Sequence, residues 1–402
     1  SLRPTLPPMM NDGQYRVYLS DLVKDERAQV LLRDKFFLRD DPNFVYYKKY
    51  HNQTDWSDGV YQNGTTQSYS VGVNGGDEIA LYNLSIGFTQ GYSTLASNNF
   101  NRLNARFNSD ITFTDHFKTV FDISYAQTDR KLRNDGIAES YLSQINSPGY
   151  LSLIKSPFLS PYQYSNAGDI TSKLEDYDFL NIANPHAILA YGVGKSLQTN
   201  FNLSIIPEYQ LTKHLNIRSM FSYSLTNLAE NSFVPMYGVA PYYNLQLGMI
   251  SRNHVKTQFA NQSSLFSDTR LAYSKATGGN RLDVVGGMRF MFNSYKADHA
   301  SGHNTGSDQV KEMSSGLSYK QVGGFDEPYK SINYYAQASY SLREKLFVEA
   351  GVSAESTSLF GTETVSGIKV LGVNWGIFPS LNASWLVSNE RFMKNISFVD
   401  LL

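Results

Sequence analysis

Three groups of residues in this chain have types and spacings that could do chemistry. Tyr191-Gly192-Val193-Gly194-Lys195-Ser196 imitates a phosphate-binding loop, where backbone N–H groups and a lysine cradle a nucleotide. That pattern needs a glycine five positions before Gly194, and Leu189 stands there. It also needs a helix after the loop, whereas the residues after Ser196 alternate as a strand does. Asp298, His299 and His303 offer metal-ligating atoms, but two histidines four apart share a metal when they lie on a helix. Their Gly/Ser/Asn surroundings predict a solvated loop instead. Serines abound without a nucleophile-elbow pattern. Cysteine is absent, which removes disulfides and thiolate ligands. No catalytic residue, metal or cofactor is assigned, and no enzyme is expected.

The better functional candidates are aromatic. Residues 128–196 carry Tyr141, Tyr150, Phe158, Tyr162, Tyr164, Tyr177 and Phe179, and residues 233–243 carry Tyr237 and Tyr242. Aromatic faces beside amides and carboxylates suit sugars or peptides, through stacking and directional hydrogen bonds. Tyr150, Tyr162, Tyr164, Tyr177, Tyr237 and Tyr242 are therefore candidates for substrate contact. The alternative is that they pack the loops together or touch a partner lid.

These residues lie between segments of strict period-two alternation. In Ala80–Thr89 the even positions are apolar or aromatic. In the next segment Leu103, Ala105, Phe107, Ile111 and Phe113 share one face, and Arg102, Arg106 and Asp110 share the other. A strand separates such residues; a helix would scatter them. The pattern recurs in hairpins: 67–73 with 79–90, 101–113 with 117–127, 197–209 with 216–225, 263–275 with 281–295, and 332–342 with 346–356. An eleventh strand is expected at 375–387. Many of these match the ~9–11 tilted residues that cross a bilayer.

Turns within a hairpin are short. Connections between hairpins are long: 91–100, 128–196, 226–262, 296–331 and 357–374. Long loops on one rim and short turns on the other is the asymmetry of an outer-membrane barrel. Tyr69, Val71, Val73, Leu84, Ile86, Phe88, Phe121, Ile123 and Tyr125 read as lipid-facing. Arg102, Arg106, Asp110, Asp122 and Arg289 read as lumen-facing. An Arg or Lys facing lipid near the midplane costs about 2–4 kcal/mol, and little in a wet lumen. The expected fold is thus all-β, an antiparallel transmembrane barrel over 66–402. Residues 1–65 form a segment leading into it, with a short helix over 22–39.

Composition agrees. Aromatics reach 14%, enough for girdles at two interfaces. The formal charge of -1 argues against nucleic acid, which asks for a basic patch. The mean hydropathy of -0.35 looks soluble, as alternation in a barrel makes it look. No apolar run approaches the ~20 residues of a membrane helix.

At this point a resemblance enters. Asn52–Tyr61 and Gln67–Glu78 include Thr54-Asp55-Trp56-Ser57-Asp58 and the Gly75-Gly76 turn. They resemble the stretch where SusC/RagA transporters pass from plug to barrel. Phe100–Asn108 resembles the family's next strand, and Phe378–Met393 its Phe-Pro-Ser hairpin with Trp385. The likeness is collinear over 45–402. It implies TonB-dependent import of a large nutrient, a glycan or an oligopeptide, across the bacterial outer membrane. It implies a SusD-like lipoprotein lid, outer-membrane lipid around the barrel, and TonB acting through a plug that is absent from this sequence. It also implies a barrel of 22 strands, of which about eleven are here, so the chain is expected to be a piece of a longer one. Ser1-Leu2-Arg3-Pro4-Thr5 is not a secretory leader, which fits that expectation. The alternative function is a passive, porin-like channel.

Overall fold

The computed structural model describes residues 9–24, 36–133, 146–314, 316–360, 368–370, 372–390 and 393. One large antiparallel sheet dominates it. Its strands are β1 (Thr65–Gly76), β2 (Ala80–Tyr92), β3 (Asn99–Thr114), β4 (Phe117–Lys131), β7 (Val193–Thr212), β8 (Leu215–Val234), β11 (His254–Thr277), β12 (Asn280–His303), β13 (Tyr319–Leu342), β14 (Leu346–Thr357), β15 (Ile368–Val370) and β16 (Val373–Trp385). They pair in the order β1-β2-β3-β4-β7-β8-β11-β12-β13-β14-β16-β15. The eleven expected strands are all present, and the three-residue β15 is added on β16. The small hairpins β5 (Tyr162–Tyr164) with β6 (Ile170–Leu174), and β9 (Tyr242–Asn244) with β10 (Met249–Ser251), lie in the long connections. Among the described residues the sheet is open, with β1 and β15 as its edges. In a membrane such edges must be paired, because lipid offers backbone groups no partner.

Register explains why the sheet suits a membrane. Directly paired positions join Val73, Leu84, Phe107, Ile123, Leu203, Tyr223, Leu265 and Phe292 in one row across eight strands. One residue along, the row reads Gly72, Ser85, Arg106, Ser124, Asn202, Ser224, Ser264 and Asn293. Side chains in a strand alternate faces, so the first row belongs to an apolar face and the second to a polar one. The same pairing puts Arg102, Arg106, Asp110, Asp122 and Arg289 together on the polar face. There Arg106 bonds Asp122, and Arg289 lies 3.1 Å from Asp268. The apolar face is exposed in the isolated chain, as at Val71 (71%) and Ile86 (49%), where lipid would cover it.

Short turns close one rim. At the first, Gly76 adopts φ 144°, and a Cβ there would meet Ala80 O at 2.1 Å. Asp77 accepts from the N–H groups of Ile79 and Ala80, and these bonds hold its carboxylate below the usual range. Aromatics ring this rim: Phe113 stacks on Phe117 at 5.2 Å, and Phe117 meets Tyr209 at 6.3 Å.

On the other rim the strands run further than their alternating centres suggest. β11, β12 and β13 each have 24 residues. Asp298, His299 and His303 therefore lie on β12, not in a solvated loop. His299 and His303 are four strand residues apart, roughly 13 Å, too far to share a metal. His303 instead bonds the Ser251 hydroxyl at 2.8 Å. Gly194 and Lys195 likewise lie within β7, with no helix after them.

Only the ends of the helix expected over 22–39 fall on described residues. Helix α1 runs Asp12–Leu22, Phe36–Leu38 forms a single 3-10 turn, and residues 25–35 lie outside those described. The start is fixed by a capping box: Asn11 Oδ1 accepts from Gln14 N, and Gln14 Oε1 accepts from Asn11 N. Buried apolar clusters occur only toward the long-connection rim among the described residues.

Candidate substrate-capture site

The long-connection rim is built by interlocking the segment before β1 with the connection 146–192. Asn52 N donates to Phe158 O at 3.1 Å, Thr54 N to Pro157 O at 2.8 Å, and Trp56 Nε1 to Ser156 O at 2.9 Å. Phe158 (0% exposed), Phe37 (1%) and Trp56 (3%) form the centre of this junction. Phe37 stacks on Phe179 at 4.4 Å. Two short helices complete the connection: α2 (Pro148–Ile154) and α3 (Pro185–Tyr191), each with proline in its first turn and an Asn or Ser cap.

One ion pair is buried here. Lys155 Nζ lies 2.8 Å from Asp178 Oδ2, and the two side chains are 2% and 5% exposed. Lys155 also donates to Ile182 O, while Asp178 Oδ1 accepts from Leu180 N and Ile182 N. Burial pulls the Lys155 ammonium below its usual pKa, and the Asp178 charge opposes that.

His186 abuts the same junction, its ring 5.9 Å from Trp56. Burial lowers its pKa, with the Asp58 charge opposing. The folded state therefore holds His186 neutral where an unfolded segment would take up a proton. Stability from this group is full above the ordinary pKa of about 6.5 and falls as pH drops below it, until the folded pKa is reached. Protection of the amides at 54–60 and 185–191, taken relative to their intrinsic exchange rates, is expected to fall between pH 7 and 5. His186→Asn is expected to flatten that dependence; an unchanged slope would refute the assignment.

The six candidate tyrosines separate into groups. Tyr150 and Tyr242 come together on an open cleft of about 790 Å³, lined also by Ile154, Asn181, Tyr243 and Asn244. Tyr162, Tyr164 and Tyr177 surround a separate hollow of about 80 Å³, beside Tyr50, Glu175 and Asp176. Tyr164 donates to Asn52 Oδ1 at 2.6 Å, so its hydroxyl is engaged within the junction. Tyr237 donates to Leu174 O and accepts from Gln163 Nε2 at 2.7 Å. Tyr141 lies outside the described residues. Sequence reasoning passed over Tyr50, Tyr243, Lys155 and the acidic run Glu175–Asp178. The doubled aromatics Pro241-Tyr242-Tyr243-Asn244 were the signal that could have found Tyr243.

A second hollow of about 630 Å³ lies at the upper ends of β7, β8 and β11. The polar-face residues Ser196, Glu230, Lys256 and Gln258 wall it, and it shares Tyr242 and Asn244 with the open cleft. The hairpin that carries Tyr242 and Asn244 thus stands between the outer cleft and the polar face of the sheet.

Comparisons with known proteins agree with this architecture. No protein-family model matches the chain. It is 20% identical to the TonB-dependent receptor SusC of Bacteroides thetaiotaomicron, over 86% of this chain and 33% of SusC. It is 19% identical to the TonB-dependent receptor P3 of Formosa agariphila, over 89% of this chain and 35% of P3. Among solved structures, the RagAB peptide transporter superposes with TM-score 0.67 at 14% identity, over 98% of this chain and 44% of that one. The chain spans about a third of the length of the curated relatives it matches. These relatives are receptors and transporters by name, not enzymes. An open antiparallel sheet with one apolar face, collinear over most of its length with receptors of this kind, is similar to the barrel portion of TonB-dependent outer-membrane receptors such as SusC.

Proposed function

We propose that these residues form part of the wall and the outward loops of an active importer for a large nutrient, a glycan or an oligopeptide. The observation that carries the reading is the shared hairpin. Tyr242 and Asn244 border both the open cleft and the hollow on the polar face, so one hairpin stands between the place of capture and the way inward and would pass a molecule from one to the other by moving. Tyr150 and Tyr242 supply stacking faces, Asn181 supplies an amide donor and acceptor, and Asn244 supplies a donor, since its Oδ1 already accepts from Gln246 N and Leu247 N. Both substrate classes use those groups.

A lid partner fits the same rim. Leu245 (86% exposed), Tyr243 (59%), Ile250 (57%) and Ile154 (38%) leave apolar surface around the cleft mouth. Apolar surface of that kind on a water-facing rim marks a protein contact. A SusD-like lipoprotein would cover it, and TonB would act through a plug outside these residues.

The test uses the full receptor in cells. Tyr242→Ala is expected to weaken nutrient capture about tenfold, the size of an aromatic contact of about 1–2 kcal/mol. Uptake is expected to stop when the proton-motive force is dissipated. Uptake that continues without that force would mean a passive pore. Unchanged capture by the Tyr242 variant would remove the cleft from the pathway.

A further inference from the structure

The outward face of the sheet carries one arrangement that membrane crossing alone does not explain. At the upper end of β4 and β7, Lys131 and Lys195 are directly paired across the strands. Both are exposed. Neither forms an ion pair among the described residues. Like charges placed directly opposite on an antiparallel pair destabilise it. They lie on the same face as Ile123 and Leu203, four rows above them, because every second residue shares a face.

What lies beneath the lysines is graded. Two rows down, Gln127, Thr199 and Asn227 form a hydrogen-bonding row. One row further, Tyr125, Phe201 and Leu225 begin the apolar band. Beside this column the outward face is hollowed by about 350 Å³, with Leu197, Ala229 and Phe259 in its lining. Leu197 and Phe259 are 41% and 60% exposed.

Other charges face this region. Asp129 lies between Lys131 and Gln127, opposite Leu197. Across the hollow, Lys296 is held by Asp326 at 2.8 Å, and Asp298 lines the same wall. The Lys131, Lys195 and Asp129 group thus carries a net positive charge, and the far side is neutralised or acidic.

We propose that this column binds an anionic lipid of the outer leaflet. The phosphate of its headgroup sits between Lys131 and Lys195, which removes their mutual repulsion. The ester or amide linkages meet Gln127, Thr199 and Asn227. The acyl chains run down over Tyr125 and Phe201. Below the cation pair and the Asp129–Leu197 row, the polar row and then the apolar band follow the order of linkages and acyl chains in such a lipid. The site rests on the outward face meeting lipid, not on import, so a receptor that failed to transport would leave it standing.

The experiment is native mass spectrometry of the full receptor in detergent, with phosphatidylglycerol or phosphatidylcholine added. Preferential retention of phosphatidylglycerol is expected. Lys131→Gln with Lys195→Gln is expected to weaken that retention about thirtyfold, since each lysine near an anionic surface contributes about fivefold. The double arginine variant is expected to retain it. Lys118→Gln, on the polar face, is expected to change nothing. Heat-modifiable gel migration confirms that each variant is folded, and any unfolded glutamine variant is replaced by the double methionine form. Equal retention of the two lipids, or full retention by the double glutamine variant, would overturn the proposal. Displacement of the lipid by millimolar glycerol phosphate would also overturn it, because the site would then read a free anion.

Discussion

Lys155→Met is expected to release the connection 146–192 from the segment before β1 while the strands stay paired. Methionine keeps the aliphatic contact near Trp56, whose ring lies 5.3 Å from the lysine nitrogen. It removes the cation that pairs with Asp178 among the described residues, a side chain 5% exposed. Breaking a buried pair by deleting one partner costs about 3–5 kcal/mol, because the remaining charge stays desolvated. The Leu180 and Ile182 N–H groups still reach Oδ1, but the Oδ2 that held the lysine is left without its donor. The loss falls on the loop junction, since Lys155 and its partners all lie outside the sheet.

Hydrogen exchange on the full receptor checks this. Amides of 50–58 and 150–184 are expected to exchange much faster in the variant, and those of β7 and β8 to keep their rates. The pair Lys155→Met with Asp178→Asn is expected to recover much of the protection, because asparagine still accepts from Leu180 and Ile182 without a buried charge. Capture of nutrient is expected to fall with the first variant and return with the second. Undiminished protection in Lys155→Met would show that the pair does not hold the junction.

Much of the sheet was legible in the sequence, and the reason is physical. Where strands cross lipid, each face has one permitted chemistry, so Leu103, Ala105 and Phe107 alternate with Arg102, Asn104 and Arg106 without exception. Beyond the membrane both faces meet water or loops, and alternation relaxes. Val255, Thr257 and Phe259 still alternate with Lys256 and Gln258, yet glycine and serine near His299 and His303 looked like a loop. The rim was less legible because its partners are distant in the chain. Trp56 and Ser156 meet at a separation of 100 residues, and Tyr164 and Asn52 at 112. No local spacing reports such contacts. The helix start at Asn11 is legible through its Asn-x-x-Gln box. The six tyrosines were individually visible. Which of them share a cleft depended on how 146–192 folds over the segment before β1.

The second large effect separates two adjacent residues of β7. Leu203→Arg is expected to block assembly into the outer membrane, and Ser204→Arg to be tolerated. Leu203 is paired directly with Ile123 and Tyr223 in the apolar row. That row has further apolar rows on either side, through Phe201 and Ile205. An arginine there faces lipid well inside the band and costs about 2–4 kcal/mol. Ser204 is paired with Asp122 and Ser222 on the other face. An arginine there meets water and a carboxylate, and an exposed pair of that kind changes stability by about 0–1 kcal/mol. Since strand side chains alternate with period two, no helix or loop would give neighbouring residues such opposite outcomes. Counting heat-modifiable receptor in outer-membrane fractions checks both variants against the parent. Equal recovery of Leu203→Arg and Ser204→Arg would mean that the apolar face does not meet lipid, and the lipid site at Lys131 and Lys195 would fall with it.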